Sequence, residues 1–442
     1  MNIRLGRTFF MLTVSALLFA CSENTPQEAK ADEQASSNNS SGNSESPIAL
    51  ISRPMDRHFD RLQDQFQNNL IDQSKTPLDL WSPYEVSRGA QLSLRSGLDV
   101  NASEDELLSA YFGSSDYDVK DLNLSPDGRT LLFAAHGPVG HPTDYSWNIY
   151  TLNYDTQLIK RVISDDNVAN AGQDTSPVLT MAGNIIFSSD RDAGNPNNPR
   201  PNEEFLGDPR CEKVDPIENP SLLHSMSQNG DSIIQLTYGR TNHDIKPTLL
   251  TDGRVAFIRW ERSTQVVEQC LSYFGLGKQT NSGELLGAKA FSIAQPEEWE
   301  EPEFCAYAKL TQQGAVTVTN HYKLLTISAD GAQMEQLYNT VTMEPSEESF
   351  LAVDRIVQAE NGNLYAVLKH QYNEVLGGAL VELQPQQGPA GGSVFSELSP
   401  VLLSNNDVNL YPGQTSPGGW YSAASPYRDS TGRTLVGWSQ CT

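Results

Sequence analysis

The sequence predicts an all-β fold, a β-propeller of four-stranded blades preceded by a short helical N-terminal segment. Three observations predict it: a hairpin pattern that recurs along the chain, a second hairpin following several copies, and an aspartate heading the best copies. "DVKDLNLSPDGRTLLFAAHG" begins at Asp118, "DTSPVLTMAGNIIFSSDRD" at Asp174 and "DIKPTLLTDGRVAFIRWER" at Asp244. Weaker copies are "FLAVDRIVQAENGNLYAVLKH", turning at Gly362, and "SPYRDSTGRTLVGWSQ", turning at Gly432, the last incomplete. Each glycine supplies the positive φ of a tight hairpin, and Asp or Asn beside it favours the same turn. The residues after it alternate or run apolar for one strand's length, as in Val255, Phe257 and Trp260. "WNIYTLNYDTQLIKRVI", "LLHSMSQNGDSIIQLT" and "KLLTISADGAQMEQLY" then supply a second strand–turn–strand. Four strands per repeated unit is the pattern of a propeller blade.

The copies are spaced more widely than the ~40–50 residues a blade needs, and the excess follows the second strand. The insertions should therefore emerge on one face of the disc. Cys211, Cys270, Cys305 and Cys441 all fall after a second strand, and are candidates for two disulfides with three pairings open. None stands in CxxC or CxxCH spacing.

The N-terminus sets the expected compartment. Residues 1–20 read as a signal peptide, with Arg4 and Arg7 before a mostly apolar run from Thr8 to Ala20 that is too short to span a bilayer. Leu18-Phe19-Ala20-Cys21 resembles the lipobox of bacterial lipoproteins, which implies lipid attachment at Cys21. Ser22 after the cysteine points to the outer membrane. Residues 21–48 are rich in Ser, Asn, Glu and Gln, and cannot bury enough apolar surface to offset their ordering entropy, so they should form a flexible tether. Residues 49–113 read as a helical or irregular segment. Phe59, Leu62, Phe66 and Leu70 lie at helical spacing, and Ser103-Glu104-Asp105-Glu106 has the form of a capping box opening a short helix. The propeller should occupy residues 114–442.

Net charge is −25 over 442 residues, and removal of Arg4 and Arg7 makes the chain more acidic still. Such a surface repels nucleic acid, so no nucleic-acid partner is expected. No GxSxG elbow, phosphate loop, HExxH or haem-attachment motif is present, and no cofactor or resident metal is expected. Among the seven histidines, His136 and His141 bracket "HGPVGH" but two imidazoles alone make no metal site. Asn242, His243 and Asp244 precede an inner strand, near where propellers present loops to the channel. With Arg259 and Trp260 they are the ligand-face candidates. The recurring Asp118, Asp174 and Asp244 should hold the turn between blades by accepting backbone N–H bonds.

"SPDGRTLLFAA" and "SPVLTMAGNIIFSSDRDAG" resemble the TolB-type propeller repeat. "NHDIKPTLLTDGRVAFIRWER" with "WYSAASPYRDSTGRTLVGWSQC" is similar to the propeller of proteins related to the middle domain of the hydrazine synthase alpha subunit. That likeness implies a ring of six or seven blades, whereas the copies here stop after two strands of the fifth. Either a strand from residues 75–100 completes the ring or the chain is part of a longer one, and truncation is the reading preferred on sequence. Hydrazine synthase chemistry depends on c-type haems, and the absence of CxxCH leaves that part of the resemblance behind. The expectation is a non-catalytic binding or scaffold module with a protein or small-molecule partner at its loop face. The alternative is the propeller part of a periplasmic redox or enzymatic complex whose catalytic domain lies elsewhere.

Overall fold

The computed structural model describes residues 47–54, 86–191, 220–239, 242–266, 308–311, 314–339, 351–370, 377–383, 401–404, 416–427 and 431–439, with residues 10–11, 84, 386–387, 393–394 and 408 besides. These form a β-propeller. Blade 1 contains β1 (Phe10–Met11), β2 (Ile48–Ser52), β3 (Gln91–Arg95) and β4 (Glu104–Glu106). Blade 2 is β5 (Asp118–Leu124), β6 (Thr130–His136), β7 (Asn148–Asn153) and β8 (Leu158–Arg161), paired in that order. Blade 3 is β9 (Thr175–Leu179), β10 (Asn184–Ser189), β11 (Leu222–Ser227) and β12 (Ile234–Gln235). Blade 4 is built from β13 (Asn242–Leu249), β14 (Val255–Val266), β15 (Ala308–Thr311), β16 (Gly314–Ile327) and β17 (Glu335–Asn339). Blade 5 is β18 (Leu351–Gln358), β19 (Leu364–His370), β20 (Ala379–Leu383) and, beyond the small ribbon β21 (Gln386–Gln387) and β22 (Ser393–Val394), β23 (Val401–Leu402). A two-stranded hairpin follows, β24 (Trp420–Pro426) and β25 (Thr434–Ser439).

The hairpin glycines fall where the turn chemistry requires them. Gly128, Gly183, Gly253, Gly362 and Gly432 all have φ between 70° and 88°. Side chains alternate across each strand, and each blade is covered on both faces, which explains the continuous apolar run of β6. Leu131 and Phe133 pack with Ala49, Ile51 and Leu92 of blade 1. Leu132, between them, packs with Ile185, Phe187 and Met226 of blade 3. The same rule joins blades 3 and 4 through Ile186, Leu223, Val255 and Phe257, and blades 4 and 5 through Ile258, Leu324, Ile356 and Leu364.

The N-terminal segment differs from the helical expectation. It contributes β2 and β3, the latter inside the 75–100 window, and Ile48 packs against Ala423 and Leu435 of the C-terminal hairpin. The expected capping box is also different. Glu104–Glu106 pairs with Ser93–Arg95, so the sheet takes these residues before a helix can. Helix α1 (Ser109–Phe112) starts later, with the Glu106 carboxylate accepting from the N–H groups of Leu108 and Ser109 at 2.7 and 3.0 Å. A second short helix, α2 (Asp166–Ala169), is capped by Asp165. The Phe59–Leu70 stripe, all five cysteines and most of the tether lie outside the described residues. Within the expected signal segment, Phe10–Met11 runs parallel to β2.

The last hairpin is tied to blade 5 by reciprocal backbone bonds between Gly378 and Tyr421, both 2.9 Å. A Cβ on Gly378 would stand 1.9 Å from the Leu368 carbonyl oxygen. Gly378→Ala should therefore push the chain entering β20 off β19 and break its bridge to the hairpin, while leaving blades 2–4 intact. Amide exchange checks this, with accelerated exchange expected in residues 420–439 and unchanged protection in β6, β10 and β14.

Candidate functional site

The aspartates that head the inner strands are fully buried, and each meets an arginine in a two-point fork. Arg53 donates to Asp118 at 3.0 and 2.6 Å, Arg191 to Asp174 at 2.8 and 2.6 Å, and Arg259 to Asp244 at 2.7 Å twice. The expected acceptance of backbone N–H bonds occurs across blades at Asp118, which takes the Ser87 N–H at 2.6 Å. At Asp174 and Asp244 the inter-blade bond runs through the main chain instead. Their own N–H groups donate to Trp147 O and Ser221 O, at 3.0 and 2.7 Å, each the residue just before the third strand of the preceding blade. Burial pushes the Asp174 carboxyl above its ordinary range despite the opposing Arg191 charge. A fork with both planar groups matched is the arrangement that keeps such a carboxylate paired.

The structure places the ligand-face candidates in this wall. Asn242 donates to Asp244 at 3.1 Å. His243 Nδ1 accepts the Ser221 N–H at 3.0 Å, and its ring stacks on Trp260 with centroids 4.9 Å apart. Trp260 in turn stacks over Tyr322 at 6.0 Å and is 2% exposed. His136 donates from Nδ1 to Gly137 O at 3.2 Å, and its ring lies edge-on to Trp147. His141 Nδ1 meets the Thr143 hydroxyl at 2.8 Å, its ring edge-on to Phe112. Burial pushes both imidazoles below their ordinary range. Each histidine is thus oriented by its own local partners.

A polar collar lies further along the inner strands. Each of these strands carries a register shift, a β-bulge, just after its first residues. At the bulge Asp121, Ser176 and Lys246 adopt left-handed φ values of 56°, 53° and 53°, and Asp354 takes the equivalent place in blade 5. Neighbouring blades join through these residues. Asp121 Oδ2 accepts from the N–H and hydroxyl of Ser176 at 3.1 and 2.8 Å. Lys246 forms an ion pair with Asp354 Oδ1, and Lys369 approaches Asp354 Oδ2 at 3.0 Å. Lys120 lies 3.9 Å over the ring of Trp147.

One carboxylate here faces two ammonium groups, and the titration of the cluster follows from that. Burial alone would raise Asp354, but Lys246, Lys369 and Arg355 outweigh it and hold the carboxyl well below its usual range. Burial, reinforced by Lys246, outweighs Asp354 at Lys369 and brings its ammonium down to about 7. Burial also brings Lys120 down to about 8, against the pull of Asp121. Beside the collar is a cavity of about 120 Å³. Lys246, Arg355, Asp121 and Ser176 are part of its polar lining, with Asn123 and Ser425 among others, and Ile356 and Ala424 contribute to the apolar part.

The collar was not found from sequence, although a signal existed. Asp121, Ser176 and Lys246 each stand seven positions before their hairpin glycine, and Asp354 stands eight before Gly362. Aligning the copies on the glycine would have shown a polar residue at one structural position in four blades.

No protein-family profile and no curated protein sequence matches the chain. Among solved structures it is similar to hydrazine synthase of Kuenenia stuttgartiensis, with 15% identity and a TM-score of 0.47 over 83% of this chain and 40% of that one. It is also similar to TolB of Acinetobacter baumannii, with 15% identity and a TM-score of 0.28 over 66% of this chain and 49% of that one. An oligogalacturonate lyase in complex with manganese aligns at 8% identity and a TM-score of 0.36, over 80% of this chain and 72% of that one. The chain therefore spans less than half the length of the first two.

The two depressed lysines predict a pH dependence with a definite sign. Unfolded, Lys369 holds its proton up to about 10.5, whereas folded it releases it above about 7. The unfolded state binds more protons in that window, so stability rises with pH across it. Lys120 adds the same sign above about 8. Asp354 acts in the acid range, its contribution being present above about 3.8 and lost as pH falls below it. Urea midpoints of the wild type should climb from pH 7 to pH 9, and the climb should be shallower in Lys369→Met. An equal slope in the two proteins would contradict the assignment.

Proposed function

We propose that this protein is a lipid-anchored β-propeller of the bacterial envelope, held at the outer membrane through acylated Cys21, that binds a ligand without transforming it. The anchor part rests on the basic and apolar run of residues 1–20, the lipobox-like Leu18–Cys21 and the polar tether that follows. The binding part is carried by one observation, the cavity beside the inner-strand collar with its fixed polar lining. Its acidic neighbour Asp354 is held ionised by Lys246 and Lys369, which suits recognition by charge and leaves it no proton to donate at neutral pH.

Two mass measurements test the two parts separately. The intact mass of membrane-extracted protein should equal the chain from Cys21 plus lipid, and should gain four hydrogens on reduction if the remaining four cysteines form two disulfides. An unlipidated mass would overturn the anchor. For the binding part, native mass spectrometry of the purified protein after exposure to a small-molecule extract of the source cells should show a retained species. That species should be released with its mass unchanged. A released species altered in mass, or no retained species at all, would overturn the reading.

A further inference from the structure

We propose that the cavity beside the collar binds a compact neutral polyol, a short carbon chain carrying several hydroxyl groups. This deepens the binding reading above and rests on it.

Neutral hydrogen-bonding groups with unspent capacity gather here. Asn123, Tyr365 and Ser425 line the cavity, and among the described residues none of their side chains has a hydrogen-bond partner. They converge from three separate sheets, an amide on β5, a phenol on β19 and a hydroxyl on β24. Ser176 and Thr248 also line the cavity. Each spends its proton on a protein acceptor, Asp121 Oδ2 at 2.8 Å and Ile356 O at 3.1 Å, and keeps its lone pairs for a further donor. Donors and acceptors therefore stand side by side on one wall. A hydroxyl meets both, because it donates one hydrogen bond and accepts others.

The charged groups of the wall each have an opposite charge acting on them already. Lys246 is paired with Asp354, Arg355 acts on the same carboxylate, and Asp121 acts on Lys120. An ion entering the cavity would compete with these pairs and lose its own hydration, whereas a neutral ligand leaves them in place. Hydroxyl groups can still take charge-assisted hydrogen bonds from Lys246. Ile356, Val367, Leu380 and Ala424 add an apolar surface that suits the C–H side of a short chain. About 120 Å³ is the liquid volume of about four waters, which limits the ligand to a few carbons. Water alone would satisfy the polar groups and leave the apolar surface wet, whereas a polyol covers both.

Several of these groups are held in place before any ligand arrives. Lys246 is fixed by its left-handed backbone at the bulge and by its ion pair with Asp354. The bond from Thr248 to Ile356 O sets the spacing of blades 4 and 5 at the cavity. A site whose groups are already ordered loses less entropy on binding.

The test uses the mature protein and erythritol, titrated calorimetrically, with butanediol, butyrate, butylamine and valine as comparison probes. Saturable binding of erythritol is expected, about tenfold tighter than butanediol, which shares its carbon chain but lacks two of its hydroxyls. Butyrate, butylamine and valine should give no saturable heat. Tyr365→Phe removes one hydroxyl and should weaken erythritol binding about fivefold. Tyr238→Phe, at an exposed tyrosine outside the cavity lining, should leave it unchanged. Ser425→Val replaces a second hydroxyl with an apolar group of similar size and should weaken binding about as much, which keeps the test decisive if Tyr365→Phe does not fold. No saturable heat with erythritol, equal affinity for butanediol, or full affinity in Tyr365→Phe and Ser425→Val would each overturn the proposal. Tighter binding of butyrate, butylamine or valine than of erythritol would overturn it too. A charged species retained in the native mass experiment, together with no erythritol binding, would overturn the polyol site and leave the binding reading standing. Failure of both would overturn both.

Discussion

A carboxylate removed from water must meet a fixed counter-charge, and the ring is built around that requirement. Asp118, Asp174 and Asp244 are fully buried at the heads of three inner strands. Each is gripped at two points by an arginine, from the same blade at Asp174 and Asp244 and from the N-terminal segment at Asp118. The grip fixes where the inner strand begins, and the aspartate N–H or carboxylate ties it to the preceding blade. In blades 2, 3 and 4 the bulge follows a few residues after that origin. Net stabilisation from such a pair is small, because desolvation offsets attraction, but loss of one partner leaves a stranded charge. The pairs therefore act mainly as a geometric constraint.

The repeat was legible in the sequence because its signals are local. A hairpin glycine, a polar turn and an alternating strand occupy one window, and all five hairpin glycines take the positive φ the turns require. The aspartates were legible as a recurring position, but their partners were less so. Arg259 lies directly across the hairpin from Asp244, whereas Arg53 is 65 residues from Asp118. The N-terminal blade was missed for the same reason. Its strands are short and far apart in sequence, and Glu104–Glu106 has a good helix-start pattern that sheet pairing overrides. On sequence His243 stands near where loops face the channel, and Trp260 reads as a residue that packs between blades; in the fold their rings stack and both are buried.

The collar shows how one repeated backbone feature can carry different side chains. The bulge recurs in blade after blade, but its occupants are Asp121, Ser176, Lys246 and Asp354. Blades 2 and 3 meet through a neutral hydroxyl, and blades 4 and 5 through charge. Structural uniformity thus sits at the aspartate–arginine heads, and chemical variety a few residues along the same strands. Binding specificity is free to differ at the collar while the ring remains fixed by the heads.

Whether the buried pairs fix the ring can be read from a double-mutant cycle at Asp174 and Arg191, since both side chains are 0% exposed. Unfolding free energies are measured for Asp174→Asn, Arg191→Met and the combination. Each single change should cost about 3–5 kcal/mol, and the double variant should recover much of that loss because no stranded charge remains. Losses that simply add, or single changes within about 0.5 kcal/mol of the wild type, would contradict it.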